Sequence, residues 1–221
     1  VLRPKITVIS SANNVEDLIE NIDCVDKQVY MNWEHIIIND NSKDVRKWLS
    51  NNKSWKKKNR HIIDIGVTTG WEGSVAKNIG AIVAFSYIKK AGGRGKGNDF
   101  VCFLDGNNQW HSGHLASLVA GLNDNKKSSL LVVDIEARDK KNEDYCCIKK
   151  FDLSKKQYNL GCFLYKLDLF EKYGYLKPAL KKKGDYRIKL IEKMIKGEGK
   201  EKIKLIHRAT FIKFKKNEKI I

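Results

Sequence analysis

Phe100-Val101-Cys102-Phe103-Leu104-Asp105-Gly106-Asn107-Asn108 decides how this chain folds. An unbroken apolar run stops at a carboxylate, and a glycine and two amides follow. Such a run, bounded by turn residues, predicts a strand buried on both faces. The change at Asp105 predicts that the strand leaves the core there and delivers polar groups to an edge. Two earlier stretches share this build. Ile6 to Ile9 runs into Ser10-Ser11-Ala12-Asn13-Asn14, and Trp33 to Ile38 runs into Asn39-Asp40-Asn41-Ser42.

Helical periodicity lies between these strands. Leu18, Ile19, Ile22 and Val25 share one helical face, as do Val75, Ile79, Ile82, Val83 and Phe85. A short helix through Val45, Trp48 and Leu49 follows the second strand, and His61 to Val67 reads as a third strand. Ser112 reads as the cap of a helix ending near Leu122, and Leu130 to Ile135 as a strand. His111 and His114 read as ordinary residues of that helix start. Strands alternating with helices predict crossover units and a largely parallel sheet. Ligands of such sheets bind at the carboxyl ends of the strands. The tips at 10–14, 39–42 and 105–108 should therefore converge on one edge.

Beyond Ile135 the pattern loosens. Residues 145–148 and 163–165 read as strands, 167–173 and 185–195 as helices, and 203–206 and 210–214 as two closing strands. The predicted class is an α/β, Rossmann-type sandwich around a mixed, mostly parallel central sheet.

Composition sets the outer limits. With 221 residues, 42% of them hydrophobic, the chain can bury a large core, which excludes disorder for most of its length. Its longest apolar stretches, such as Ile79 to Ile88, are about half the roughly 20 residues that a membrane-spanning helix needs. The five cysteines form no C-x-x-C pair and no zinc spacing, so a reducing, cytoplasmic setting is expected. The chain opens on Val1, which leaves room for a longer protein or a membrane-associated one. A formal charge of +17, with clusters at Lys56–Lys58, Lys181–Lys183 and Lys213–Lys216, points to anionic partners. A nucleotide diphosphate and an anionic membrane surface are the candidates; the plainer account is lysine-rich solvated faces. Specific nucleic-acid binding is not expected, because no known module or aromatic stacking platform is present. Gly92-Gly93-Arg94-Gly95-Lys96-Gly97 is not a phosphate loop, since Gly97 follows Lys96 where a hydroxyl residue is required.

In order along the chain, these segments resemble the family 2 glycosyltransferases of GT-A fold. The first strand and its tip through Asn14 match the family's opening, although Ser11, Ala12 and Asn13 replace its usual proline, threonine and tyrosine. Gln28 to Glu34 followed by Asn39-Asp40-Asn41-Ser42-Lys43-Asp44 is the closest match, and Asp40 stands where the family reads the nucleotide base. Ala76-Lys77-Asn78-Ile79-Gly80 resembles the segment beside the nucleotide. Phe103 to Trp110 resembles the strand and loop that carry the Asp-x-Asp motif, and Gly184-Asp185 the acidic pair that supplies the base. Two carboxylates of the family pattern are missing, at Asn107 and Gly184.

The resemblance implies a single catalytic domain over 1–221, with a nucleotide-sugar half at 1–135 and an acceptor half at 136–221. It implies transfer of a sugar, by default from a UDP-sugar, to a carbohydrate or other hydroxyl acceptor with inversion. Asp185 is the implied base. Ser11, Asn13, Asp40, Lys77, Asn78, Asp105 and Trp110 are the implied substrate contacts. Asp105 and Asn107 are the implied ligands of a divalent cation, Mn²⁺ or Mg²⁺. An amide oxygen can ligate such a cation but lacks the charge that favours it. Two other readings remain open: a degenerate domain that binds nucleotide sugars without transfer, and a basic protein for polyanions or membrane surfaces.

Overall fold

The computed structural model describes residues 1–69, 73–90, 99–106, 108–138, 146–152, 159–176 and 186–214. Asn107, Gly184, Asp185 and the glycine-rich loop at 92–97 lie outside the described residues. The first half runs β1 (Lys5–Ala12), α1 (Val15–Asp26), β2 (Trp33–Asn39), α2 (Lys43–Asn51), β3 (Arg60–Asp64), α3 (Ser74–Lys90) and β4 (Asp99–Asp105). Strand β1 pairs in parallel with both β2 and β4, and β2 pairs in parallel with β3. The register sets Ser11 beside Asp105 and Ala12 beside Asn39. The three polar tips thus share one edge, as the alternation predicted.

The second half runs β5 (Asn108–Trp110), α4 (His114–Asp124), β6 (Leu130–Arg138), β7 (Cys146–Lys149), β8 (Phe163–Lys166), α5 (Asp168–Tyr173), α6 (Tyr186–Glu198) and β9 (Ile203–Phe214). These strands extend the same sheet in the order β3-β2-β1-β4-β8-β6-β9-β5, with β7 beside β6. Strand β8 is antiparallel to both β4 and β6, so β6 points the same way as β4. No described helix is long and apolar enough to cross a membrane.

Local chemistry explains the boundaries. The Asn14 side chain accepts the Asp17 N–H at 2.7 Å and opens α1, and Ser42 accepts the Val45 N–H to open α2. Ser112, predicted as the cap of α4, does not cap it. Gly113 holds the position without a side-chain bond, and the Ser112 carbonyl accepts the Val29 N–H instead. Strand β3 stops at Asp64, short of the predicted Val67, because Gly66 turns the chain at φ +66° and donates its N–H to Asp64. The two predicted closing strands are one strand, β9, kept continuous by register shifts at Val133/Asp134 and Asp134/Ile135. Strand β5 was not predicted; three residues are too few to show a period of two.

The core lies on both sheet faces. On β2, Ile36 and Ile38 join the larger apolar cluster, while Ile37 joins Leu18 and Val45 under α1 and α2. A polar chain runs through the buried region beside it. His35 is fully buried and accepts from the Arg60 Nε–H at its Nδ1, so its Nε2–H donates to Ser10 Oγ at 3.0 Å. Burial first, and the Arg60 charge second, push the His35 pKa well below its usual value, so the ring is neutral.

Glu198, at the end of α6, joins the far side together. Its carboxylate accepts from Ser129 Oγ, Lys172 Nζ, Tyr173 OH and Lys202 Nζ at 2.6–3.2 Å. Burial raises the Glu198 pKa, but these hydrogen bonds outweigh it and hold the group at about 2. A depressed folded-state pKa contributes stability above the unfolded value of about 4.3, and that stability is lost as pH falls through the folded value. Glu198→Gln should therefore destabilise the chain at pH 6 by on the order of 2 kcal/mol. The gap to wild type, measured by urea unfolding, should close as the pH approaches 2.

Candidate functional site

The site is built from the β1, β2 and β4 tips and the first turn of α3. Lys77 extends from α3 into the interior with its side chain only 2% exposed, and its Nζ lies 2.5 Å from Asp105 Oδ1. A buried ammonium without a partner would cost several kcal/mol, so this pair fixes α3 against β4. Asp105 is 23% exposed, and no described residue hydrogen-bonds its other oxygen. One oxygen is held, and the side chain as a whole is partly exposed.

Gly73 closes the space above this pair. Its φ of +71° favours glycine, and a Cβ there would lie 2.7 Å from Ser11 Oγ and 3.3 Å from Lys77 Nζ. Ser11, Gly73, Lys77 and Asp105 are therefore neighbours. Asp40, on the next tip, donates its N–H to the Ala12 carbonyl. Its carboxylate is mostly buried and accepts from the Thr69 N–H at 2.8 Å and the Thr69 hydroxyl at 2.9 Å. Asp40 thus ties the segment after β3 to the site. Asn13 stands exposed at the same edge, between β1 and α1.

Two predicted contacts have other partners. The Asn78 amide clamps the Leu176 backbone, donating to its carbonyl at 2.6 Å and accepting from its N–H at 2.9 Å. Trp110 is buried, donates its indole N–H to the Gly161 carbonyl, and stacks on His114 with ring centres 4.5 Å apart. His114 is itself buried, and desolvation, with the His111 charge second, brings its pKa down to about 3.

The structure adds residues that the sequence reading missed. Asp17 of α1 lies against Gly106, so a carboxylate flanks the Asp-Gly-Asn loop from outside the motif. Asp134 and Glu136, both mostly buried, stand on one face of β6 near the same edge. Glu136 Oε2 meets His111 Nε2 at 2.7 Å, and Asp134 Oδ2 meets His207 Nδ1 at 3.4 Å. His111, half-exposed just before α4, thus pairs with the buried Glu136 carboxylate. The legible signal was an aspartate interrupting the apolar run of 130–135. Among the described residues, no group of three or more His, Cys, Asp or Glu side chains could hold a metal ion.

The profile of the family described as Glycosyl transferase family 2 matches residues 7–174. The chain belongs to this family. Over 113 residues it is 31% identical to the amylovoran biosynthesis glycosyltransferase AmsB of Erwinia amylovora, covering 49% of this chain and 32% of that protein. The structure of S. aureus TarS 1–349 in complex with UDP superposes with a TM-score of 0.68 at 17% identity, covering 96% of this chain and 60% of that one. The mannosyltransferase PcManGT from Pyrobaculum calidifontis, in complex with GDP-Man and Mn²⁺, gives 0.60 at 16% identity, covering 100% and 59%. The chain spans less than two thirds of the length of each of these relatives. The structural likeness shows the fold, which is the GT-A fold.

At the β4 tip, Gly106 has a steric role that can be tested. A Cβ at that position would overlap the Asp17 carboxylate carbon. Gly106→Ala should push α1 away from the β4 tip and cost about 1–3 kcal/mol, read as a lower melting temperature. An unchanged melting temperature would show that Asp17 swings aside freely.

Proposed function

We propose that this domain binds a nucleotide-sugar donor, by default a UDP-sugar, and transfers the sugar to an acceptor hydroxyl with inversion. The reading rests on the convergence of Ser11, Gly73, Lys77 and Asp105 beside Asp40 at the carboxyl edge of the parallel strands. It is strengthened by membership of family 2 and by the UDP and GDP-Man named in the two structural relatives. Residues 1–221 act as one catalytic domain, with 1–135 holding the donor and 136–221 the acceptor.

Each residue has a task in this proposal. Asp40, held by Thr69, reads the base edge. Ser11 and Asn13 line the path of the nucleotide at the β1 tip. Lys77 balances Asp105 and brings positive charge towards the diphosphate, where negative charge builds as the donor bond breaks. Asn78 acts one step back, by fixing Leu176 beside the site, and Trp110 acts through the packing that supports β5. Asp185 takes the proton from the acceptor hydroxyl as the new bond forms.

The residues fit a weakly held divalent cation. Asp105 is partly exposed and offers a carboxylate, while Lys77 on one of its oxygens cancels much of the charge that would attract a metal. Asp105 and Asn107 would hold Mn²⁺ or Mg²⁺ against the donor diphosphate, where it would neutralise the leaving group.

Two substitutions test the proposal. Asp40→Asn keeps an acceptor for the Thr69 N–H, so the chain should melt normally. It should bind UDP roughly 10- to 100-fold more weakly in calorimetry, since a hydrogen bond to a charged group contributes roughly 1.5–3 kcal/mol. Equal affinity would remove Asp40 from the site.

Asp185→Asn should lower the transfer rate by about 10²–10⁴-fold while leaving donor affinity nearly intact. Near wild-type transfer would make Asp185 a helix cap only. A wild-type chain that binds UDP-sugars and transfers to no acceptor would instead be a degenerate donor-binding domain, a role that Asn107 and Gly184 would suit.

A further inference from the structure

At the amino end of the sheet, opposite the donor site, is a cavity of about 320 Å³. It opens where β4 and β6 begin, where β8 ends, and just before β9. Phe100 and Leu122 form an apolar floor, and Leu2 forms a wall. Leu2 is pinned there by Asn123, whose side chain accepts the Leu2 N–H at 2.7 Å and donates to its carbonyl at 3.2 Å. The remaining lining is four lysines, two serines and Glu198.

The charges around this cavity do not cancel. Glu198 is balanced by Lys172 and by Lys202, and its oxygens also accept from Ser129 and Tyr173. Lys166 pairs with Asp168 at 3.1 Å. Lys126 and Lys127 are exposed and meet no carboxylate among the described residues. Beside them, Ser128 is 3% exposed, and its hydroxyl has no hydrogen-bond partner among the described residues. A buried hydroxyl without a partner loses roughly 1–3 kcal/mol, which a ligand oxygen would restore.

From this juxtaposition we infer that the cavity is a second binding site, for a phosphoryl group attached to a small organic body. Lys126 and Lys127 supply the charge, Ser128 donates a directed hydrogen bond, and Phe100 and Leu122 receive the carbon skeleton. The volume suits a small ligand, at the lower end of the usual range of roughly 300–1,000 Å³. Strand β4 links this cavity at Phe100 to the donor site at Asp105, a span of roughly 17 Å at 3.3 Å per residue. Both sites can therefore be filled at once. The phosphoryl group can come from a free phosphorylated metabolite or from a lipid headgroup.

The test uses the full chain at low ionic strength, because exposed charges are screened by salt. Calorimetry with glycerol 3-phosphate should show a binding event that the double variant Lys126→Glu/Lys127→Glu weakens at least about tenfold, the equivalent of 1.4 kcal/mol. Ser128→Ala should weaken the same event several-fold with an unchanged melting temperature. Cosedimentation with phosphatidylcholine vesicles, with and without phosphatidylglycerol, separates the two sources. Binding of glycerol 3-phosphate alone assigns the cavity to a free metabolite. Phosphatidylglycerol-dependent sedimentation that Ser128→Ala also reduces assigns it to a headgroup. Equal affinity in wild type and both variants overturns the inference. So does loss in the double variant with none in Ser128→Ala, which is the mark of diffuse surface charge.

Discussion

An ammonium group buried in a protein must meet a compensating charge, and the Lys77–Asp105 pair is where this fold obeys that rule. The pair joins the first turn of α3 to the tip of β4, so helix and strand cannot shift separately without exposing an unpaired charge to the interior. Gly73 fits beside Ser11 and Lys77 only because it lacks a side chain, and the strand register sets Ser11 next to Asp105. Asp40 and Thr69 then tie the segment after β3 to the same edge. The arrangement has a chemical consequence. With an ammonium already on Asp105, positive charge is built in beside this edge, and the field that would draw a divalent cation to the carboxylate is weaker.

The sheet separates two chemistries by its polarity. All the parallel tips of β1, β2 and β4 point one way, and β6 points with them because β8 reverses direction on both sides. The carboxyl edge collects Asp40, Asp105 and the acids of β6. The amino edge collects Ser128, Ser129 and the lysines around them. Glu198 is bound into the amino edge by four donors, so it acts there as a rivet and leaves the nearby Lys126 and Lys127 charges unspent.

Much of this was legible in the sequence, and the reasons are physical. A strand buried on both faces is apolar along most of its length, so β4 and the Ile36–Ile38 run of β2 stood out, and each tip was marked by the polar residue that ends the run. Amphipathic helices announced themselves by their period. Failures came where a short range was too poor in information. Strand β5 is three residues long. The α4 start carried a serine of the right type, but a carbonyl contact with Val29 set its geometry instead. Strand β9 looked like two strands because its bulges break the alternation while the pairing to β6 continues.

The sequence by itself determined the parallel βα units, the edge to which their polar tips must go, and the identity of Asp40 and Asp105 as residues of that edge. These follow from local periodicity and from the rule that parallel crossovers align strand ends. Only the tertiary structure decided what each side chain touches. It spent the Asn78 amide on Leu176, buried Trp110 on Gly161 and His114, brought Asp17 against Gly106, and matched His111 with Glu136. Those contacts join residues from 25 to 98 positions apart in four cases out of five. Their distances depend on how helices settle on the sheet, which no local pattern of residues encodes.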